Sequence, residues 1–158
     1  MDWWSRYVLA WELSNSLDSE FCIRAWTTAL ARGRQPLISN TDQGSQFTDQ
    51  KFIDVLAGNN VKISMDGRGR CMDNIFTERL WRSVKYEEVY LKSYGDITEA
   101  KTNLAAYFKF YNNERRHQSL ECKTPSEVYA NKKRLAPDTK SHNTLITLTS
   151  PLLSTTTV

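Results

Sequence analysis

The sequence has no long apolar run. Its uninterrupted hydrophobic stretches extend only a few residues, far short of the roughly 20 that a membrane-spanning helix needs. Met1 is followed at once by Asp2 and Trp3 rather than by a basic stretch and an apolar segment, so no secretory signal is expected. Cysteine is scarce. Cys22, Cys71 and Cys122 are odd in number, widely spaced and free of any CxxC pairing, which argues against a disulfide framework and against a structural zinc site. A reducing, cytoplasmic setting is the expectation. No second His or Cys stands at ligand spacing from His117, which reads as a hydrogen-bonded structural residue. Gly67 and Gly69 do not form a Walker loop, and no internal repeat is visible.

What remains is an ordinary globular composition. The chain has 158 residues, 40% of them hydrophobic and 25% charged, enough for one domain with its own core. The net charge of +3 is compatible with a polyanionic partner, though many proteins that touch no nucleic acid are this basic.

Residues 5–13, rich in β-branched and aromatic side chains, read as a strand. Asp18 or Ser16 can cap a helix running to about Arg32, with Gly33 as its stop. A short strand, Leu37-Ile38-Ser39, runs out into Asn40-Thr41-Asp42. After a Gly-containing loop, Thr48 is the expected cap of a helix that gives way at Gly58-Asn59-Asn60, and a strand follows from Val61 to Ser64. The glycine-punctuated loop at residues 66–70 leads into an amphipathic helix from about Asp73 to Leu91. Asp96 or Thr98 opens a long helix with Ala100, Leu104, Tyr107, Phe108 and Tyr111 on its apolar stripe, and a last helix starts near Pro125. Alternation of strands and helices predicts an α/β fold with a central sheet covered by helices. Residues 1–135 are read as the folded core. Residues 136–158, dominated by Ser, Thr, Lys and Pro, are read as a flexible tail or the product of a shifted frame.

Two carboxylates attract attention. Asp42 stands where a short strand ends, the position at which open α/β sheets bind ligands; the competing reading is an Asx-turn. Glu78 shares a helical stripe with Asn74, Arg82 and Lys85, which an ordinary solvated face with a Glu78–Arg82 pair would also explain.

Longer stretches of text separate these readings. Asn40-Thr41-Asp42-Gln43-Gly44-Ser45-Gln46-Phe47, then 35 intervening residues to Glu78, then Lys85 seven further on, resembles the DDE transposases of bacterial insertion sequences, within the retroviral-integrase-like superfamily. Asp2-Trp3-Trp4-Ser5-Arg6-Tyr7-Val8 resembles the second strand of that family, Ser64 to Gly69 the loop before the catalytic helix, and Asp73 to Glu87 the helix itself. Tyr111 to Leu120, with Thr124 to Tyr129 after it, resembles the C-terminal signature. The likeness covers about residues 2 to 131.

The resemblance implies an RNase-H-like fold, a mixed sheet flanked by helices. It further implies phosphoryl transfer with Mg²⁺ or Mn²⁺ held between three acidic side chains, of which Asp42 and Glu78 match two. Asn74, Arg82 and Lys85 are the implied DNA contacts, Lys85 foremost, with weaker, salt-sensitive contact expected from Arg68, Arg70 and Arg79. The implied partners are transposon-end and target DNA, and a second copy or full-length transposase; the implied location is the bacterial cytoplasm, at the nucleoid. Tyr86, Tyr90 and Tyr94 read as core or interface residues rather than as nucleophiles, and most of the five tryptophans as core or interface aromatics.

The family's first catalytic aspartate belongs to a strand preceding the one that here starts at Met1. Asp2 matches a non-ligand aspartate of the second strand. The expectation is therefore a sheet without its first strand and a polypeptide inactive by itself. A non-catalytic regulator that pairs with full-length transposase, or an integrase-like DNA-binding module with no part in transposition, would carry the same text.

Overall fold

Helix α1, Glu20–Ala31, forms where Phe21, Cys22, Ala25, Trp26 and Ala29 recur on one face, and that face is buried. Its computed structural model describes the chain at residues 1–16, 18–32, 35–65 and 75–135, with side chains through 131. Gly33, the loop arginines Arg68 and Arg70, Cys71, Asn74 and the tail from residue 136 lie outside the described residues.

Strand β1, Ile38–Thr41, leads through the short helix α2, Ser45–Thr48, and helix α3, Gln50–Gly58, to strand β2, Lys62–Met65. β1 and β2 pair in parallel, Ile38 opposite Lys62 and Thr41 opposite Met65. Parallel strands need a crossover of this kind, because a tight turn would reverse the chain. The cap of α3 is Asp49, not Thr48. Asp49 Oδ1 accepts from the Lys51 amide at 2.8 Å, while Oδ2 accepts from the Ser19 hydroxyl at 2.7 Å, so one carboxylate caps α3 and ties it to the start of α1.

Helix α4, Ile75–Glu87, buries Thr77, Leu80 and Val84. It stops earlier than the apolar pattern predicted, and a 3₁₀ turn, Val89–Leu91, carries the chain on. Helix α5, Ile97–Asn113, opens on Asp96, whose side chain accepts from the Glu99 amide. After a second 3₁₀ turn, helix α6, Pro125–Leu135, begins with a reciprocal capping box. The Glu127 amide donates to Thr124 Oγ1 at 3.2 Å and the Thr124 amide donates to Glu127 Oε2 at 2.7 Å.

The segment predicted as the first strand, residues 5–13, is not a strand among the described residues. Part of its backbone is bonded by side chains from α5 and from the end of α1. The Val8 amide donates to Asn112 Oδ1 at 2.9 Å and Asn112 Nδ2 donates to the Val8 carbonyl at 3.0 Å, while Arg32 Nη1 reaches the Leu9 carbonyl at 2.9 Å. A strand is defined by a neighbour's ladder, and an amide from α5 supplies here the pair of bonds that a neighbouring strand would.

The core falls into two clusters. Cys22, Trp26, Phe47, Phe52 and Leu56 fill the space between α1, α3 and the sheet. Val8, Leu80, Val84, Leu104, Phe108 and Tyr111 fill the space between the N-terminal segment, α4 and α5. Trp11 and Trp81 pack against both. The tryptophans behave as predicted, with Trp4 the exposed exception.

Candidate active site

β1 is an unusual strand. Ser39, Asn40 and Thr41 are all buried although all are polar. Strand alternation puts Ser39 and Thr41 on one face, and Asn40 together with the next residue but one, Asp42, on the other. Asp42 follows the last ladder position and is half-buried. Its Oδ1 accepts from the Gly44 amide at 2.9 Å, the Asx-turn that the local sequence allowed. The turn depends on glycine, since a Cβ at position 44 would stand 2.9 Å from Asp42 Oδ1 and 2.8 Å from Gln46 Oε1. It engages one carboxylate oxygen, Oδ1.

Glu78 lies in the first turn of α4 and is exposed. Arg82 and Lys85, also exposed, fall on the same face at helical spacing, roughly opposite Thr77, Leu80 and Val84. The structure thus brings Glu78, Arg82 and Lys85 onto one solvent-facing stripe, with Lys85 about 10 Å along the axis from Glu78. The anticipated Glu78–Arg82 pair is absent from the ion pairs among the described residues. Arg82 instead places its guanidinium 5.8 Å from the Tyr86 ring centroid. Asn74 lies outside the described residues, and no group of three or more His, Cys, Asp or Glu that could hold a metal occurs among those described.

Asp2 is wholly buried, and its Oδ2 accepts from both the Ser5 amide, 3.0 Å, and the Ser5 hydroxyl, 2.5 Å. It builds the turn at residues 2–5. Arg6 leaves that turn with φ of 63°, a left-handed backbone that costs on the order of 1 kcal/mol in a residue with a side chain. That conformation lays its guanidinium 3.2 Å over the Phe76 ring at the start of α4, and its Nη1 donates to the Trp3 carbonyl.

Several residues went unread in the sequence. Each candidate acid is preceded by a buried threonine, Thr41 or Thr77, whose hydroxyl has no hydrogen-bond partner among the described residues. A buried unpaired hydroxyl costs about 1–3 kcal/mol, and the two flank the two acids. The Thr-Asp and Thr-Glu dipeptides were the available signal. At the other end of α4, Glu87 accepts from the Tyr107 hydroxyl at 2.9 Å and pairs with Arg115, clamping α4 to α5. Burial alone would raise the Glu87 pKa, but the hydrogen bonds from Arg115 and Tyr107 outweigh it and hold the carboxyl below its usual range. His117 is hydrogen-bonded through its backbone, its amide donating to the Lys123 carbonyl at 3.1 Å and its carbonyl accepting from the Leu120 and Cys122 amides at 3.0 Å, while its Nε2 is buried without a partner among the described residues. Its ring meets Tyr111 edge-on at 5.0 Å. Burial first, then the charges of Arg115 and Arg6, lower its pKa. Cys22, buried behind the site, has its thiol pushed up to about 12 by burial and by the charges of Asp18 and Asp42, and stays protonated.

Known proteins decide the family. One integrase core domain model matches residues 1–71 and another matches residues 59–125. The transposase for insertion sequence element IS904 of Lactococcus lactis subsp. lactis (strain IL1403) is 28% identical over 130 residues, 80% of this chain and 51% of that protein. The chain belongs to the integrase-core family of insertion-sequence transposases. Transposase InsF for insertion sequence IS3A of Escherichia coli (strain K12) is 29% identical over 120 residues, 74% of this chain and 42% of its own length. This integrase-core chain therefore spans about half the length of the curated relatives it matches. Its fold is that of the retroviral integrase cores, RNase-H-like. The catalytic core domain of BIV integrase superposes with a TM-score of 0.61 at 15% identity, covering 77% of this chain and 76% of that one. The simian T-cell lymphotropic virus intasome, solved with the PP2A regulatory subunit B56 gamma, gives 0.65 at 16% identity, over 82% of this chain and 46% of that one. No helix among the described residues is long and apolar enough to cross a membrane.

Proposed function

We propose that this chain is part of a DNA-transposing enzyme, in which Asp42 and Glu78 supply two of the acidic ligands for divalent metal and the stripe from Glu78 to Lys85 lies along the DNA. The observation that carries this reading is the placement of the two acids. One ends a buried polar strand, and the other opens a helix whose exposed face goes on to two cations without carboxylate partners among the described residues. Transposases are also what the matched relatives are named.

The donor set fits a hard ion. Carboxylate oxygens suit Mg²⁺ or Mn²⁺, and Mg²⁺ takes few carboxylates and keeps several waters. Asp42, with Oδ1 committed to Gly44, offers Oδ2; Glu78 offers a solvated carboxylate. Asp42 and Glu78 would hold the divalent metal, which when bound would supply Lewis-acid activation of the attacking oxygen and charge compensation at the leaving one. Lys85 and Arg82 neutralise neighbouring phosphates, and Asn74 is proposed as a further DNA contact on the family resemblance alone. With no group of three such ligands among the described residues, we extend the proposal to a chain that gives no strand cleavage by itself. DNA, a second copy of the chain or full-length transposase are its partners.

The absence of a three-ligand group among the described residues equally favours a second reading, a non-catalytic regulator that pairs with full-length transposase. One experiment addresses both. Purified chain with Mg²⁺ or Mn²⁺ and labelled transposon-end duplex is expected to leave both strands intact. Cleavage that disappears in Asp42→Asn and Glu78→Gln would overturn the inactivity and the regulator reading together.

A further inference from the structure

The end of α4 and the 3₁₀ turn after it leave aromatic surface in solvent. Tyr86 is 62% exposed, Tyr90 64% and Leu91 73%. The two tyrosine rings meet edge to face at 5.3 Å, and the Arg82 guanidinium lies 5.8 Å from the Tyr86 centroid. Neither ring is part of the two core clusters. Of the two readings of these tyrosines, core or interface, exposure leaves Tyr86 and Tyr90 the second.

The charges around the rings are lopsided. Glu87 is taken by Tyr107 and Arg115, and Glu88, itself buried, is taken by Lys92 at 2.7 Å and by the Tyr94 hydroxyl at 3.1 Å. Arg82 and Lys85 have no ion pair among the described residues. Glu87 and Glu88 are thus engaged by other groups, while the cations Arg82 and Lys85 stand exposed on the helix that carries the Tyr86 ring. A second copy of this surface is a poor occupant, because a two-fold contact would set Arg82 and Lys85 against themselves. An occupant with both negative charge and flat π faces fits, as single-stranded nucleic acid does.

We propose that Tyr86 and Tyr90 form a stacking ledge for unpaired bases of a DNA strand whose phosphates run past Arg82 and Lys85. This rests on the reading of α4 as a DNA-facing helix. Tyr86 lies about 12 Å beyond Glu78 along the axis, which equals three to four nucleotide steps of about 3.4 Å. The ledge therefore receives bases about that far from the phosphodiester at the acids, where a strand end has opened.

The test is fluorescence anisotropy at low salt with the full chain and three labelled probes of equal length: a single strand, the same strand made abasic, and a blunt duplex. The single strand is expected to bind more tightly than the abasic strand. Tyr86→Ala and Tyr90→Ala each weaken the single strand about tenfold and leave the abasic strand and duplex unchanged, while Tyr86→Phe and Tyr90→Phe retain the unmutated affinity. Lys85→Ala weakens all three. Alanine variants that leave single-strand affinity unchanged, or weaken all probes equally, overturn the ledge while leaving the DNA-facing helix in place. Tyr→Ala variants that change only the mass measured by light scattering also overturn it, marking a self-association surface. If the unmutated chain binds none of the probes, the reading of α4 falls and the ledge with it.

Discussion

Asp42 ends a strand whose three preceding residues are buried, with one carboxylate oxygen fixed by a neighbouring amide; Glu78 stands in solvent on a helix anchored from its opposite face. The strand fixes its acid through local backbone, so the position of Asp42 is set within a few residues. The helix fixes its acid through distant packing: Val84 in the core and the Glu87–Tyr107–Arg115 clamp at its far end. The two carboxylates thus stand on two differently held arms, one fixed by local backbone and one by distant packing.

The largest effect should come from Asn112, which supports the N-terminal segment through Val8. Asn112→Ala strips the Val8 amide and carbonyl of their partners. With buried groups costing about 1–3 kcal/mol each when left unsatisfied, the expected loss is about 2–6 kcal/mol in urea unfolding. A loss under about 1 kcal/mol would show that the segment finds other partners. Next, Asp42→Ala should cost about 1 kcal/mol through the lost turn, whereas Glu78→Gln should stay within about 0.5 kcal/mol, as exposed surface substitutions do. Equal costs would erase the contrast between the two arms.

The smallest effect is a pH dependence. His117 has a folded pKa below its ordinary 6.5, so the unfolded chain takes up more protons as pH falls through that value, and stability falls with it until the folded form also protonates. Glu87, whose folded pKa is depressed, adds stability above 4.5 that is lost as pH falls below that value. Thermal melts should therefore decline from pH 7.5 to pH 5.5, and His117→Gln should flatten this first part of the decline. A decline unchanged in that variant would assign the protons elsewhere.

Much of the fold was legible because its helices obey local rules. The apolar stripes of α1 and α5, the Asp96 cap and the Pro125 start can all be read within one or two turns of sequence. The N-terminal segment was not, because alternation of side chains says where a strand is possible and not whether a ladder meets it; Asn112, about a hundred residues away, took that place. The end of α4 was missed because Val89 and Leu91 continue the apolar count, while the backbone tightens to a 3₁₀ turn where Glu88 is drawn inward. At the candidate site, Asp42 and Glu78 gained meaning from their spacing and flanking text. The buried threonines and the Glu87 clamp did not, since burial and partners are properties of the folded chain.

The most direct test of the two-acid site is Mn²⁺ titration followed by NMR line broadening of backbone amides in the full chain. The expected result is broadening centred on Asp42, Gly44 and Glu78, reduced by Asp42→Asn and by Glu78→Gln alike. Broadening that centres on other acids, or that neither substitution alters, would contradict the assignment of these two carboxylates to one metal site.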